Sequence, residues 1–222
     1  KIKDLGSRLA FSPTREMDGT KQKSMFDFSS ERADNSIPIW SGAAFNIWDS
    51  RFGDSYAFAK VEVIRPFLEE KYQRAIFSRS SIHFGKNHSR LPLDSSRVVF
   101  RDTSSGTNRR TVIACLAPPG IGLIHRSPYL VFKEGRAREE AYVLGVMSSL
   151  VFDWLARCWV EGTFSFEILK RLPIPESEFD SELGKKIIEV SATLADRYRE
   201  HDDWFAETQA TRLEVASVDQ LI

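Results

Sequence analysis

Apolar residues change their spacing several times along this chain, and each change predicts an element. Ile37-Pro38-Ile39-Trp40 is a brief apolar run closed by Ser41-Gly42, the pattern of a strand and turn. From Ala57 to Gln73 the period becomes helical, with Val61, Ile64, Phe67, Leu68 and Tyr72 three or four apart. Pro66 interrupts that pattern and predicts the first turn of a second helical piece. Ala75-Ile76-Phe77 reads as a short strand, and Ser78 to Ser96 as a polar, basic loop. Arg97 to Arg101 and Arg110 to Cys115 carry β-branched runs around a polar tip, Asp102 to Thr107, which predicts a hairpin. Pro118-Pro119-Gly120 ends it, and Ile121 to Phe132 supplies another strand or two.

The strongest helical pattern runs from Glu139 to Trp159. Tyr142, Val146, Leu150, Trp154 and Leu155 lie on one face and Val143, Met147, Val151 and Cys158 on the other, so the helix is expected to be buried nearly all round. Trp40, Trp154 and Trp159 are then expected in the core. Leu172-Pro173-Ile174-Pro175 must be an extended connector. A long charged helix is expected from Glu182 to about Val215, with Leu183, Ile187, Val190, Leu194, Tyr198 and Phe205 along one side. The elements together predict an α+β fold: a mixed β-sheet from the 97–132 strands, packed on a buried helix, with a helical C-terminal extension.

Composition narrows the function classes. At 222 residues, 42% apolar and with 16 Phe, the chain can bury a sizeable core. Cys115 and Cys158 make neither a disulfide framework nor a four-ligand zinc site and fit reduced thiols in a cytoplasmic protein. The longest apolar run, Ala141 to Phe152, is too short to span a bilayer. Formal charge is zero, but it is unevenly spread. Residues 71–110 hold nine Lys or Arg against two Asp or Glu, and residues 176–222 hold five against twelve. A basic stretch of that size, with His83 and His88 in it, suits a phosphate backbone, unless the acidic block neutralises it in the fold.

Catalytic patterns are missing. Ser105-Gly106-Thr107 has no lysine placed as in a phosphate-binding loop, His83 and His88 have no neighbouring glutamate, and no serine or cysteine sits in a nucleophile motif. Asp102 lacks the second acid that a metal-dependent nuclease needs.

One ordered set of motifs adds to this. Arg97-Val98-Val99-Phe100-Arg101-Asp102 is followed by Asn108-Arg109-Arg110-Thr111-Val112-Ile113-Ala114, Pro118-Pro119-Gly120, Phe152-Asp153-Trp154-Leu155-Ala156-Arg157, and Phe166 to Pro175. This order resembles the C-terminal target-recognition region of large adenine-N6 DNA methyltransferases, in single-chain type II restriction–modification enzymes and related phage-defence proteins. Arg15 to Thr20, Met25-Phe26, Ile37 to Gly42 and Phe45-Asn46 resemble the stretch that joins the catalytic half to the recognition half. The Leu-Pro-Ile-Pro connector also occurs in type I specificity subunits. The family's cofactor loop and its Asn/Asp-Pro-Pro-Tyr/Phe motif do not occur here; Ala117 precedes Pro118-Pro119 and Gly120 follows.

The resemblance therefore implies sequence-specific recognition of double-stranded DNA, with no cofactor in this chain and S-adenosylmethionine in the parent protein. The partner it implies is a missing N-terminal methyltransferase domain of the same polypeptide, of which a chain opening on Lys1 is expected to be a piece. Residues 1–36 are expected to link to that domain, 37–175 to form the recognition domain, and 176–222 the helical extension. Base readout is expected from Asn87, His88, Ser105, Asn108 and Arg109, and backbone contact from Lys86, Arg90, Lys170 and Arg171. Arg101 and Asp102 are expected to pair with each other or with nearby backbone. A protein-interaction module like the type I specificity subunits, and a stand-alone nuclease, remain the alternatives.

Overall fold

Short β-branched or apolar runs bounded by polar turns form the strands, and the two long apolar periodicities form the packed helices. The computed structural model describes residues 9–29, 31–77, 91–104, 108–132 and 137–214. In chain order the elements are β1 (Phe11–Thr14), β2 (Ser36–Trp40), β3 (Ala57–Lys60), α1 (Val61–Phe77), β4 (Arg97–Phe100), β5 (Ala114–Ala117), β6 (Gly122–Leu123) and β7 (Tyr129–Phe132). The helices α2 (Ala137–Ser148), α3 (Leu150–Arg157), α4 (Phe166–Arg171), α5 (Glu182–Ala195) and α6 (Asp202–Thr208) follow. The fold is α+β.

The strands from 97–132 are shared between two sheets. The larger is antiparallel, in the order β1-β7-β4-β5, and the smaller is mixed, β3-β2-β6, with β2 parallel to β6. Residues 11–14, expected as part of a linker, are an edge strand of the larger sheet, paired with β7 from Phe11↔Phe132 to Thr14↔Tyr129. A buried ion pair ties the sheets together: Arg97 on β4 donates to Glu16 at 2.6 Å, and the second Glu16 oxygen accepts from the Leu123 amide at 2.8 Å. The main core lies between β4, β5, β7 and α2, and includes Val98, Phe100, Leu116, Tyr142, Leu144 and Met147.

Three expectations change. Ala57–Lys60 forms a strand before the helix, and α1 runs unbroken through Pro66 to Phe77, so 75–77 is helix rather than strand. Pro66 is exposed and near the start of α1, where a missing amide leaves one solvated carbonyl unpaired. The 139–159 helix is broken at Ser149, whose side chain accepts from the Phe152 amide at 3.2 Å and caps α3. The turn rotates α3 so that Trp154 and Trp159 face outward; Trp40 alone of the three is buried. The C-terminal helix is likewise two pieces. The buried Asp196 carboxylate accepts from the His201 amide at 2.8 Å and pairs with Arg212, and Arg199 takes a left-handed φ of 58°. α6 folds back on α2, where Trp204 Nε1 donates to Glu140 at 2.6 Å.

α2 and α5 approach closely because Gly145 has no side chain. A Cβ there would stand 2.1 Å from Ser191 Oγ and 2.8 Å from Ile187 Cγ2.

Candidate nucleic-acid interface

The segment after β4 continues the β4–β5 arm without regular pairing. Arg101 N donates to Ile113 O at 2.9 Å, Ser104 N to Gly162 O at 3.1 Å, and Phe164 N to Asp102 O at 2.7 Å. The Ser104 hydroxyl donates to Thr111 O at 2.9 Å. The returning strand starts at Ala114, later than the sequence pattern suggests, so Asn108 to Ile113 form a loop.

That loop is fastened by α3. Asp153 is buried on α3, and one of its oxygens accepts both the Thr111 and the Val112 amide at 2.8 Å. Arg110 lies 3.4 Å from the same carboxylate and donates to the carbonyls of Ser148 and Ser149 at 2.6 and 3.2 Å, where α2 ends. Arg157, one turn after Asp153, donates to the carbonyls of Asn108 and Arg109 at 2.9 and 3.1 Å. These bonds hold the loop backbone, and the Arg109 side chain stays exposed.

A second group of cations borders the same arm. Arg15 and Arg126 lie 3.5 and 3.9 Å from the buried Asp102 carboxylate, and Arg126 donates to the Thr103 hydroxyl at 3.0 Å. The Arg15 guanidinium lies 4.6 Å from the Phe166 ring centroid. Lys170, one turn after Phe166 on α4, pairs with Glu167 at 3.0 Å, which holds that carboxyl below its usual range. Arg171 stands 6.0 Å from the ring of Trp159. Asp102 and Asp153 on this surface are buried and Glu167 is paired, while Glu161 is exposed.

Of the residues expected to read or hold DNA, Asn108, Arg109, Lys170 and Arg171 fall on this surface. Lys86, Asn87, His88, Arg90 and Ser105 lie outside the described residues. The Arg101–Asp102 pair does not form. Consecutive residues in extended backbone point to opposite sides, so Asp102 meets Arg15 and Arg126 while Arg101 turns to the Phe45 carbonyl. Arg101 also lies 5.7 Å from the rings of Phe45 and Phe52, and burial pulls its pKa down. Arg15, Arg126, Arg157 and Trp154 were not legible as site residues. The available signal was Asp153, an acid flanked by apolar residues, which needs cationic or amide partners.

Among the described residues no three His, Cys, Asp or Glu side chains stand together to hold a metal. A cavity lined by Glu16, Leu68, Lys71, Tyr72, Leu91 and Tyr129 measures about 10 Å³, room for one water and not for a nucleoside cofactor. No described helix is long and apolar enough to cross a membrane. In comparisons with known proteins, no family model and no curated protein matches the chain.

Proposed function

We propose that this chain recognises double-stranded DNA through the 101–112 arm and the surfaces of α3 and α4, serving an adenine-N6 methyltransferase part that would belong to the same polypeptide. The observation that carries the reading is the fastened 108–112 loop. Its backbone is held by Asp153 and Arg157, it bears the half-buried Asn108 and the exposed Arg109, and its flanking carboxylates are buried. Arginine can bond guanine and asparagine can bond adenine through paired contacts, and such readout needs a rigid base. Arg15, Arg126, Lys170 and Arg171 supply charges for phosphate contact around it. Methyl transfer and S-adenosylmethionine belong in this scheme to the catalytic part, for which the present chain carries no motif.

The test is binding of a mixed-sequence duplex of about 30 base pairs at several salt concentrations. If four cations meet phosphate, log K falls against log salt with a slope of roughly −4. Lys170→Ala should flatten the slope by about one unit without altering sequence preference. In a polypeptide that carries the catalytic part, Arg109→Ala should change the base accepted at one target position. No binding at low salt, or a slope near zero, would refute the reading.

A further inference from the structure

α3 has an uncovered outer face beside the fastened loop. Leu150 is 73% exposed, Val151 70% and Trp154 65%, and Trp159 just beyond the helix is 57% exposed. At about 100° per residue, Arg157, Leu150 and Trp154 follow Asp153 around the helix within about a third of a turn. Asp153 and Arg157 grip residues 108–112, so the apolar ridge begins where the loop ends.

Leucine, valine and indole gain nothing from phosphate. Most of the charged groups around them are cations, Arg109 and Arg157 on the loop side and Arg171 against Trp159, with the exposed Glu161 two residues past Trp159. A second copy offering the same face would bring those arginines against their own kind. A nucleic acid satisfies both halves of this surface, because its phosphates match the cations and its base faces match the ridge. Bases show those faces only where they have left the stack.

We propose that Trp154, backed by Leu150 and Val151, stacks on an unstacked base next to the bases that the 108–109 loop reads. This rests on the DNA reading above and adds to it a preference for opened duplex. Stacking on an aromatic side chain is sequence-tolerant and strengthens binding by roughly tenfold or more per base. The ridge would therefore report the state of the helix rather than its sequence.

The experiment compares two labelled duplexes of one sequence, one fully paired and one with a single A·A mismatch, by fluorescence anisotropy and by quenching of tryptophan emission. The wild-type chain should bind the mismatched duplex roughly tenfold more tightly. Trp154→Ala should abolish that preference by weakening the mismatched duplex roughly tenfold more than the paired one, while Trp154→Phe keeps most of it. Trp154 is exposed, so both variants should fold, which thermal melting checks. Equal wild-type affinity for the two duplexes overturns the stacking role and leaves DNA recognition standing. Equal weakening of both by Trp154→Ala also overturns it. Absence of binding to either duplex at low salt removes both. Self-association of the wild type that Leu150→Asp abolishes would assign the ridge to a second copy instead and overturn the proposal.

Discussion

Replacing Asp153 by alanine should unfasten the candidate recognition loop and measurably destabilise the whole domain. The side chain accepts two buried amides, Thr111 and Val112, through one oxygen, and it faces Arg110 and Arg157 at 3.4 and 3.8 Å. Each buried amide left without an acceptor costs about 1–3 kcal/mol. The arginine partners are 20% and 39% exposed, so losing the ion pairs adds only about 1 kcal/mol or less, and about 4 kcal/mol is expected in total. For a chain of this size that is a fall in Tm of about 8–16 °C. Asp153→Asn separates the two contributions. Its amide oxygen can still accept both N–H groups, but its NH2 group opposes the arginines, so a loss of about 1–2 kcal/mol is expected. Urea denaturation gives the stabilities, and hydrogen exchange at the Thr111 and Val112 amides gives the local effect. The alanine variant should expose both amides; the asparagine variant should protect them. If Asp153→Ala costs less than about 1 kcal/mol and both amides stay protected, the loop is held by something other than this carboxylate.

Gly145→Ala should destabilise by about 1–3 kcal/mol although alanine is the better helix former, because its Cβ would meet Ser191 Oγ at 2.1 Å. Combining it with Ser191→Gly should recover part of the loss in the same denaturation assay. Glu140 is held near pKa 7 by burial, with Glu207 and Glu139 adding to the rise and the Trp204 bond opposing it. A pKa raised in the folded state means that this group's stabilisation is complete below about pH 4.5 and is lost as pH rises through about 7. Glu140→Gln should therefore raise Tm at pH 8 and scarcely change it at pH 5; equal shifts at both would contradict the assignment. A thiol reagent should label Cys158 alone in the native protein and Cys115 only after unfolding, since Cys158 is exposed and burial pushes the Cys115 thiol well up. Two labels on the native chain would show that β5 is not in the core.

The elements that could be read from the sequence were those whose signal is local. β2, β4, the start of α2 and the 172–175 connector follow from apolar runs, acidic helix starts and prolines. The misread boundaries depend on contacts between distant residues. Ser149 stops a helix whose apolar pattern continues past it, because its side chain caps α3 while Arg110, some forty residues earlier, takes the carbonyls at the end of α2. Asp196 ends α5 with an amide and a guanidinium from beyond the helix. Trp154 looked like core because apolar spacing cannot tell a buried face from an uncovered one once the helix has turned. At the candidate site, Asn108 and Arg109 stood out by residue type and turn context. Arg15 and Arg126 did not, since only the folding of β1 and the 124–127 turn against Asp102 brings them there.

The way the 101–112 arm is anchored has a consequence for how such a protein can be altered. Ser104 is bonded to Gly162 and Thr111, and Asn108 to Val112 are held by two side chains of α3. Much of what holds the loop's ends comes from outside the arm, from residue 162 and from α3. Residues inserted between 104 and 108 would add a loop-closure entropy of about 0.6 kcal/mol for each doubling of loop length. The position is a natural grafting point: Ser104 before it and Asn108 to Val112 after it are held by bonds to α3 and to residue 162.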